Sequence, residues 1–111
     1  MDADFLKKYL AKIPESKRCS SAIAFLASLD AIRASFPPIA DAIVKELRDQ
    51  RSHLKLIASE NFSSLPVQLA MGNLLTDKYS EGYAGHRFYA GCENVDTIEG
   101  YAVDLAKQVF G

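Results

Sequence analysis

Apolar residues recur every three or four positions along most of the chain, and proline or glycine marks nearly every break in the pattern. Such spacing predicts helices, because 3.6 residues per turn bring those positions onto one face. DFLKKYLAK, residues 4–12, reads as a short helix closed by Ile13-Pro14. A second helix is expected over 20–35, with Ile23, Leu26, Ala27, Ile32 and Phe36 along its apolar side. Pro37-Pro38 stops it, since proline lacks an N–H donor and pushes its predecessor out of the helical region. PIADAIVKELRDQRSHL follows with the clearest signal of all. Ile39, Ile43, Val44 and Leu47 form a stripe there, and Asp41 can pair with Lys45 one turn on.

LKLIASENF (54–62) is apolar and then abruptly polar, which reads as an element end running into a loop. Ser63 or Ser64 is a candidate N-cap, with Pro66 in the first turn, for a helix through SLPVQLAMGNLLTDKY whose repeat is imperfect. The last helix is expected in ENVDTIEGYAVDLAKQVFG. Val95, Ile98, Ala102, Leu105, Ala106 and Val109 line its apolar face, and Gly111 suits a C′ position. Strand candidates are nearly absent, so the pattern gives a mostly α-helical chain with long loops.

One loop stands apart. YSEGYAGHRFYAG, residues 79–91, carries Tyr79, Tyr83, Phe88 and Tyr89 on a glycine-rich backbone. Glycine weakens both helix and strand, so burial by a regular amphipathic element does not account for these rings. A loop of this length with such side chains points to function rather than connection.

Composition narrows the classes. The chain has 111 residues, 49% apolar and 24% charged, a balance that supports a globular core. Its net charge of −1 leaves no electrostatic footprint for nucleic acid or an anionic membrane. The short basic run from Lys7 to Arg18 reads as a solvated helix face. No stretch approaches the ~20 apolar residues of a membrane span. The first residues lack a secretory signal, and Cys19 and Cys92 are far apart, so both read as reduced thiols in a cytoplasmic protein. Asn61-Phe62-Ser63 matches a glycosylation sequon that carries no meaning without secretion.

Most reactive constellations are missing. His53, His86, Cys19 and Cys92 are too scattered for a zinc site, and no metal is expected. There is no phosphate-binding GxxxxGK[ST], no GxGxxG and no GxSxG. Ser59-Glu60-Asn61 taken alone is most simply a cap or turn. In the loop, Tyr79, Glu81 and Tyr83 alternate, so an extended backbone aims all three to one side. Two phenols and a carboxylate there could bind a phosphate-bearing cofactor and move a proton. Arg87 adds a charged planar fork, and Phe88 with Tyr89 could stack on a flat ligand. A mobile surface loop, or one packing its rings into another subunit, explains the same residues equally well.

Motif order adds what periodicity does not. LIASENFSS (56–64) followed by LLTDKYSEGYAGHRFYAGCENVDTIE (74–99) closely resembles the N-terminal signature of serine hydroxymethyltransferases, LIASEN and then an LTNKYAEGYPGKRYYGG-like run. The resemblance extends over about residues 39–111. It implies an N-terminal portion of an α/β pyridoxal-phosphate enzyme with the aspartate-aminotransferase-like fold. Residues 1–38 would be an N-terminal helical extension, and 39–111 the arm and start of an incomplete transferase domain. The implied reaction interconverts serine and glycine, with transfer of a one-carbon unit to tetrahydrofolate to give 5,10-methylenetetrahydrofolate. Pyridoxal 5′-phosphate would be the cofactor, and a homodimer or tetramer would share each active site across subunits.

Residue by residue, Ser59 resembles the serine that contacts the amino-acid carboxylate. Tyr79 matches the tyrosine reaching the cofactor phosphate of the neighbouring subunit. Glu81 matches the glutamate between substrate hydroxyl and folate that carries a proton. Tyr89 matches the tyrosine near the substrate, and Phe88 the ring along the folate. Ala84 stands where the family has proline, His86 where it has lysine, Phe88 where it has the first paired tyrosine, and Ala90 where it has the first paired glycine. These departures read as tuning, mainly of the folate side. The lysine that joins the cofactor and the carboxylate at its pyridine nitrogen lie further along the family's chain. Lys78, beside Tyr79, is not the counterpart of that lysine, so the 111 residues alone are expected to be inactive. A different class of reading is a truncated, non-catalytic chain that docks on a full-length subunit as helper or inhibitor. A third is a helical domain with no remaining function.

Overall fold

The computed structural model describes residues 4–111, which form two compact units dividing between Ala70 and Met71. In the first, α1 (Phe5–Lys12), α2 (Ser20–Ser35) and α3 (Pro37–Ser52) follow the expected pattern closely, with a short 3-10 turn at Glu15–Lys17. α2 packs against both α1 and α3.

Polar groups at the helix ends set this arrangement. The Asp4 carboxylate caps α1 by accepting from the Lys7 amide at 2.8 Å. The Asp30 carboxylate, from α2, accepts from the Phe5 and Leu6 amides at 2.8 and 3.0 Å. Three of the four donors orphaned at the start of α1 are thereby satisfied, and a negative charge sits at the positive end of the helix. At the other end, the Arg18 guanidinium donates to the Leu10 and Ile13 carbonyls, and the Cys19 amide donates to the Tyr9 hydroxyl. Pro37 sits at the first position of α3, where its missing N–H costs nothing. Arg33 and Asp41 join α2 to α3 at 2.6 Å.

The core of this unit differs from the expected stripes. Leu29 and Ala40 are the buried residues, whereas Ile39 and Leu47 remain exposed. Ala40 is fully buried on α3, which packs against α2, so a small side chain loses its water there while larger ones on α3 do not. Asp41 pairs with Arg33, and Lys45 pairs instead with Asp49.

The expected helix through residues 64–79 is a shorter one. α4 spans Leu65–Met71, followed by a 3-10 turn at Leu74–Asp77. Gly72-Asn73 breaks it, because the Asn73 side chain accepts from the Leu75 amide at 3.0 Å and so competes with the helical ladder. In the second unit, β1 (Gly82–Tyr83) pairs antiparallel with β2 (His86–Arg87), and α5 (Glu93–Phe110) closes the chain. α5 forms over the expected residues, but Ile98, Leu105 and Val109 on its apolar face are exposed. Among the described residues no helix is long and apolar enough to cross a membrane.

A candidate ligand-binding loop

The ring-bearing loop is folded by its glycines. Tyr83 pairs with His86 and Gly82 with Arg87, and the Phe88 amide adds a rung by donating to the Glu81 carbonyl at 3.1 Å. Ala84-Gly85 forms the turn, with φ of +75° at Gly85 as the second central position of a type II turn requires. Proline favours the first central position of such a turn, so Ala84 keeps the geometry and gives up only pre-organisation. Gly82 has φ of +110°, and a Cβ there would lie 2.4 Å from the His86 carbonyl oxygen. No other residue fits.

Extended backbone before the turn produces the expected alternation. Ser80 and Gly82 are half-buried, while Tyr79, Glu81 and Tyr83 are exposed. The Tyr79 and Tyr89 rings meet edge to face, with centroids 5.4 Å apart and planes at 72°. Two candidate residues 10 positions apart thus share one spot. Phe88 is exposed, its ring available to a flat partner.

Arg87 is placed differently from the ligand-binding fork expected of it. Its side chain is only 6% exposed. Nε donates to Asp96 Oδ1 at 2.7 Å, and one terminal nitrogen donates to the Ser80 and Gly82 carbonyls at 2.8 and 3.0 Å. The other terminal nitrogen donates to Glu99 Oε2 at 2.5 Å. Four of the five guanidinium donors are therefore spent inside the unit. The hydrogen bonds Arg87 donates to Glu99 and then to Asp96 push its pKa up further. The Arg87 hydrogen bond, and after it the Gly85 amide, hold the Asp96 carboxyl below its usual range. Asp96 and Glu99, three residues apart on one face of α5, were the sequence signal for this role.

Cys92 lies buried under the loop as a free thiol, its sulfur 3.4 Å from the Tyr89 carbonyl and 3.8 Å from that of Tyr79. Lys78 turns its ammonium toward the Ala90 carbonyl at 3.4 Å. A concavity of about 160 Å³ opens beside Arg87, Tyr89, Cys92 and Asp96. A larger groove of about 450 Å³, lined by Phe25, Ile43, Leu47, Gln50 and Gln68, contains none of the candidate residues. Among the described residues no group of His, Cys, Asp or Glu is arranged to hold a metal ion.

Ser59 belongs to the first unit. It sits in a turn closed by the Glu60 amide donating to the Ile57 carbonyl at 3.0 Å, and the neighbouring Lys55 pairs with Glu60. Ser59 is exposed.

Comparison with known proteins adds one consistent result. The family model described as serine hydroxymethyltransferase matches residues 32–111. The serine hydroxymethyltransferase of Chlamydia trachomatis serovar D is 56% identical over 110 residues, covering 98% of this chain and 22% of the relative. That of Chlamydia muridarum is 58% identical over 107 residues, covering 96% of this chain and 22% of the relative. That of Treponema pallidum is 53% identical over 111 residues, covering 100% of this chain and 19% of the relative. The chain therefore spans about a fifth of the length of these curated relatives. The residues before 32, outside the family match, are shared with the Treponema protein.

Proposed function

The chain belongs to the serine hydroxymethyltransferase family, and from that premise we propose that it is the N-terminal part of an enzyme interconverting serine and glycine with transfer of the one-carbon unit to tetrahydrofolate. The complete protein would have the aspartate-aminotransferase-like fold, with residues 1–38 as a helical extension and 39–111 as the arm and start of the transferase domain. The observation that supports the reading is the contact of the exposed Tyr79 and Tyr89 rings across the hairpin, with Glu81 exposed two residues from Tyr79.

The residues present fit one side of a pyridoxal-phosphate site. The Tyr79 phenol is exposed and free to donate to a phosphate oxygen, and Glu81 is an exposed carboxylate two residues along. When bound, the cofactor supplies an electron sink for cleaving the serine side chain. Glu81 would hold the proton exchanged with the serine hydroxyl as that bond rearranges. The Tyr89 phenol, fixed by its edge contact with Tyr79, would orient the substrate, and Phe88 would stack along the folate. The Ser59 hydroxyl would donate to the amino-acid carboxylate. The lysine that joins the cofactor would come from the remainder of the enzyme, since the family motif that Lys78 occupies is not the one that carries that lysine.

Exposure of the loop rings and of the α5 face supports sharing of each site between subunits of a homo-oligomer. Mixed subunits test this. One set of complete subunits carries Glu81→Gln and the other lacks the cofactor-joining lysine; each is expected to be strongly impaired alone. Recovery of activity on mixing is expected, and no recovery would refute the sharing. The same exposed apolar surface favours a second reading, in which the 111-residue chain docks on a full-length subunit as helper or inhibitor. Light scattering of the two together would show a joint species.

A further inference from the structure

We propose that Arg87 is the positioning residue that fixes Glu81 for proton transfer, an inference that rests on the function proposed above. Its terminal nitrogen donates to the carbonyls of Ser80 and Gly82, the residues on either side of Glu81. The Glu81 carbonyl, on the opposite side of the extended backbone, accepts from the Phe88 amide. Three consecutive carbonyls are therefore bound, which holds the backbone on both sides of Glu81 while its side chain stays exposed. The guanidinium is itself anchored to α5 through Asp96 and Glu99, and Asp96 reaches back with its second oxygen to the Gly85 amide at 3.0 Å. A carboxylate on a glycine-rich loop would otherwise sample many orientations, and catalysis requires one. A planar fork is needed because a lysine ammonium cannot span both carbonyls and two carboxylates.

The test is a double-mutant cycle in the complete protein that carries this segment. Arg87→Lys is expected to lower kcat for serine cleavage about a hundredfold, the cost of displacing a reacting group by about an ångström. KM for serine should stay nearly constant, with secondary structure and oligomeric state unchanged. In a Glu81→Gln background the same change should cost almost nothing more, because Arg87 acts through Glu81. Losses that multiply in the double variant would overturn the proposal, as would an unchanged kcat. Should Arg87→Lys fail to fold, Asp96→Asn decides: it keeps one oxygen for two donors and should show the same non-additive pattern with a smaller loss. If the wild-type protein does not cleave serine, the proposed function fails on that ground alone. Amide exchange then judges Arg87, and Gly85 and Phe88 amides that exchange no faster in Arg87→Lys would overturn it.

Discussion

The two units solve the same problem with opposite materials. In the first, apolar helix faces meet around Leu29 and Ala40, and charges such as Asp30 and Arg33 tie the helix ends at the margin. In the second, a guanidinium occupies the interior of the loop while the large rings stay outside. Burying apolar area stabilises a fold but leaves nothing chemical on display. Holding a loop by a buried, multiply bonded arginine frees its phenols and carboxylate to face a ligand. The price is dependence on a few directional bonds.

That contrast breaks most sharply under substitution. Glu81→Gln in the complete protein is expected to lower turnover about a hundredfold or more, in the range of a lost general acid or base, with an unchanged unfolding midpoint. Leu29→Ala should do the reverse, costing about 2 kcal/mol or more in urea unfolding while KM for serine holds. Gly82→Ala crosses the division, since the added methyl meets the His86 carbonyl and the residue must keep positive φ. It should cost more than about 1 kcal/mol and turnover as well.

The same contrast explains what could be read from the sequence. Helices at 5–12, 20–35, 37–52 and 93–110 were legible because apolar periodicity, Pro37-Pro38 and the closing Gly111 act locally. The core was less so: Ile39 and Leu47 look like core residues, yet Ala40 is the position on α3 that is buried, a choice that periodicity does not encode. The break at Gly72-Asn73 was written in the residues but masked by the apolar ones around it. In the loop, the alternation of Tyr79, Glu81 and Tyr83 was visible, because extended backbone has a fixed period of two. The interior role of Arg87 was hidden, because it depends on carbonyls that no side-chain pattern reports. The meeting of Tyr79 with Tyr89 depends likewise on the hairpin turn between them.

Acid should separate the units next. Asp96 has its pKa lowered in the fold, so its contribution is fully present above the unfolded carboxylate value, about 3.9, and is lost as pH falls through the lower folded one. Asp49 is lowered too, by its hydrogen bond to Lys45, but that pair is an exposed i,i+4 contact on one helix. As pH falls below about 3.9 toward the folded value, protection of the Gly85 and Phe88 amides, taken against their intrinsic exchange rates, should therefore be lost before that of α3. Equal loss of protection in both units would remove the special place given to the Arg87–Asp96 pair.

The smallest effect probes what the exposed α5 face is for. A methyl at Gly100 meets nothing within 4 Å, and alanine is the better helix former by about 1 kcal/mol. Gly100→Ala should thus stabilise the 111-residue chain by about that amount in urea unfolding. The neighbouring Ile98, Tyr101 and Leu105 are exposed, which leaves a face able to take a covering surface. If such a surface seats against Gly100 in the complete protein, the same methyl becomes a steric intrusion and the sign reverses. A gain in the short chain with a loss in the complete one would assign the glycine to close packing. A gain in both would leave α5 without a partner at this position, and the apolar face on either side of it would need another explanation.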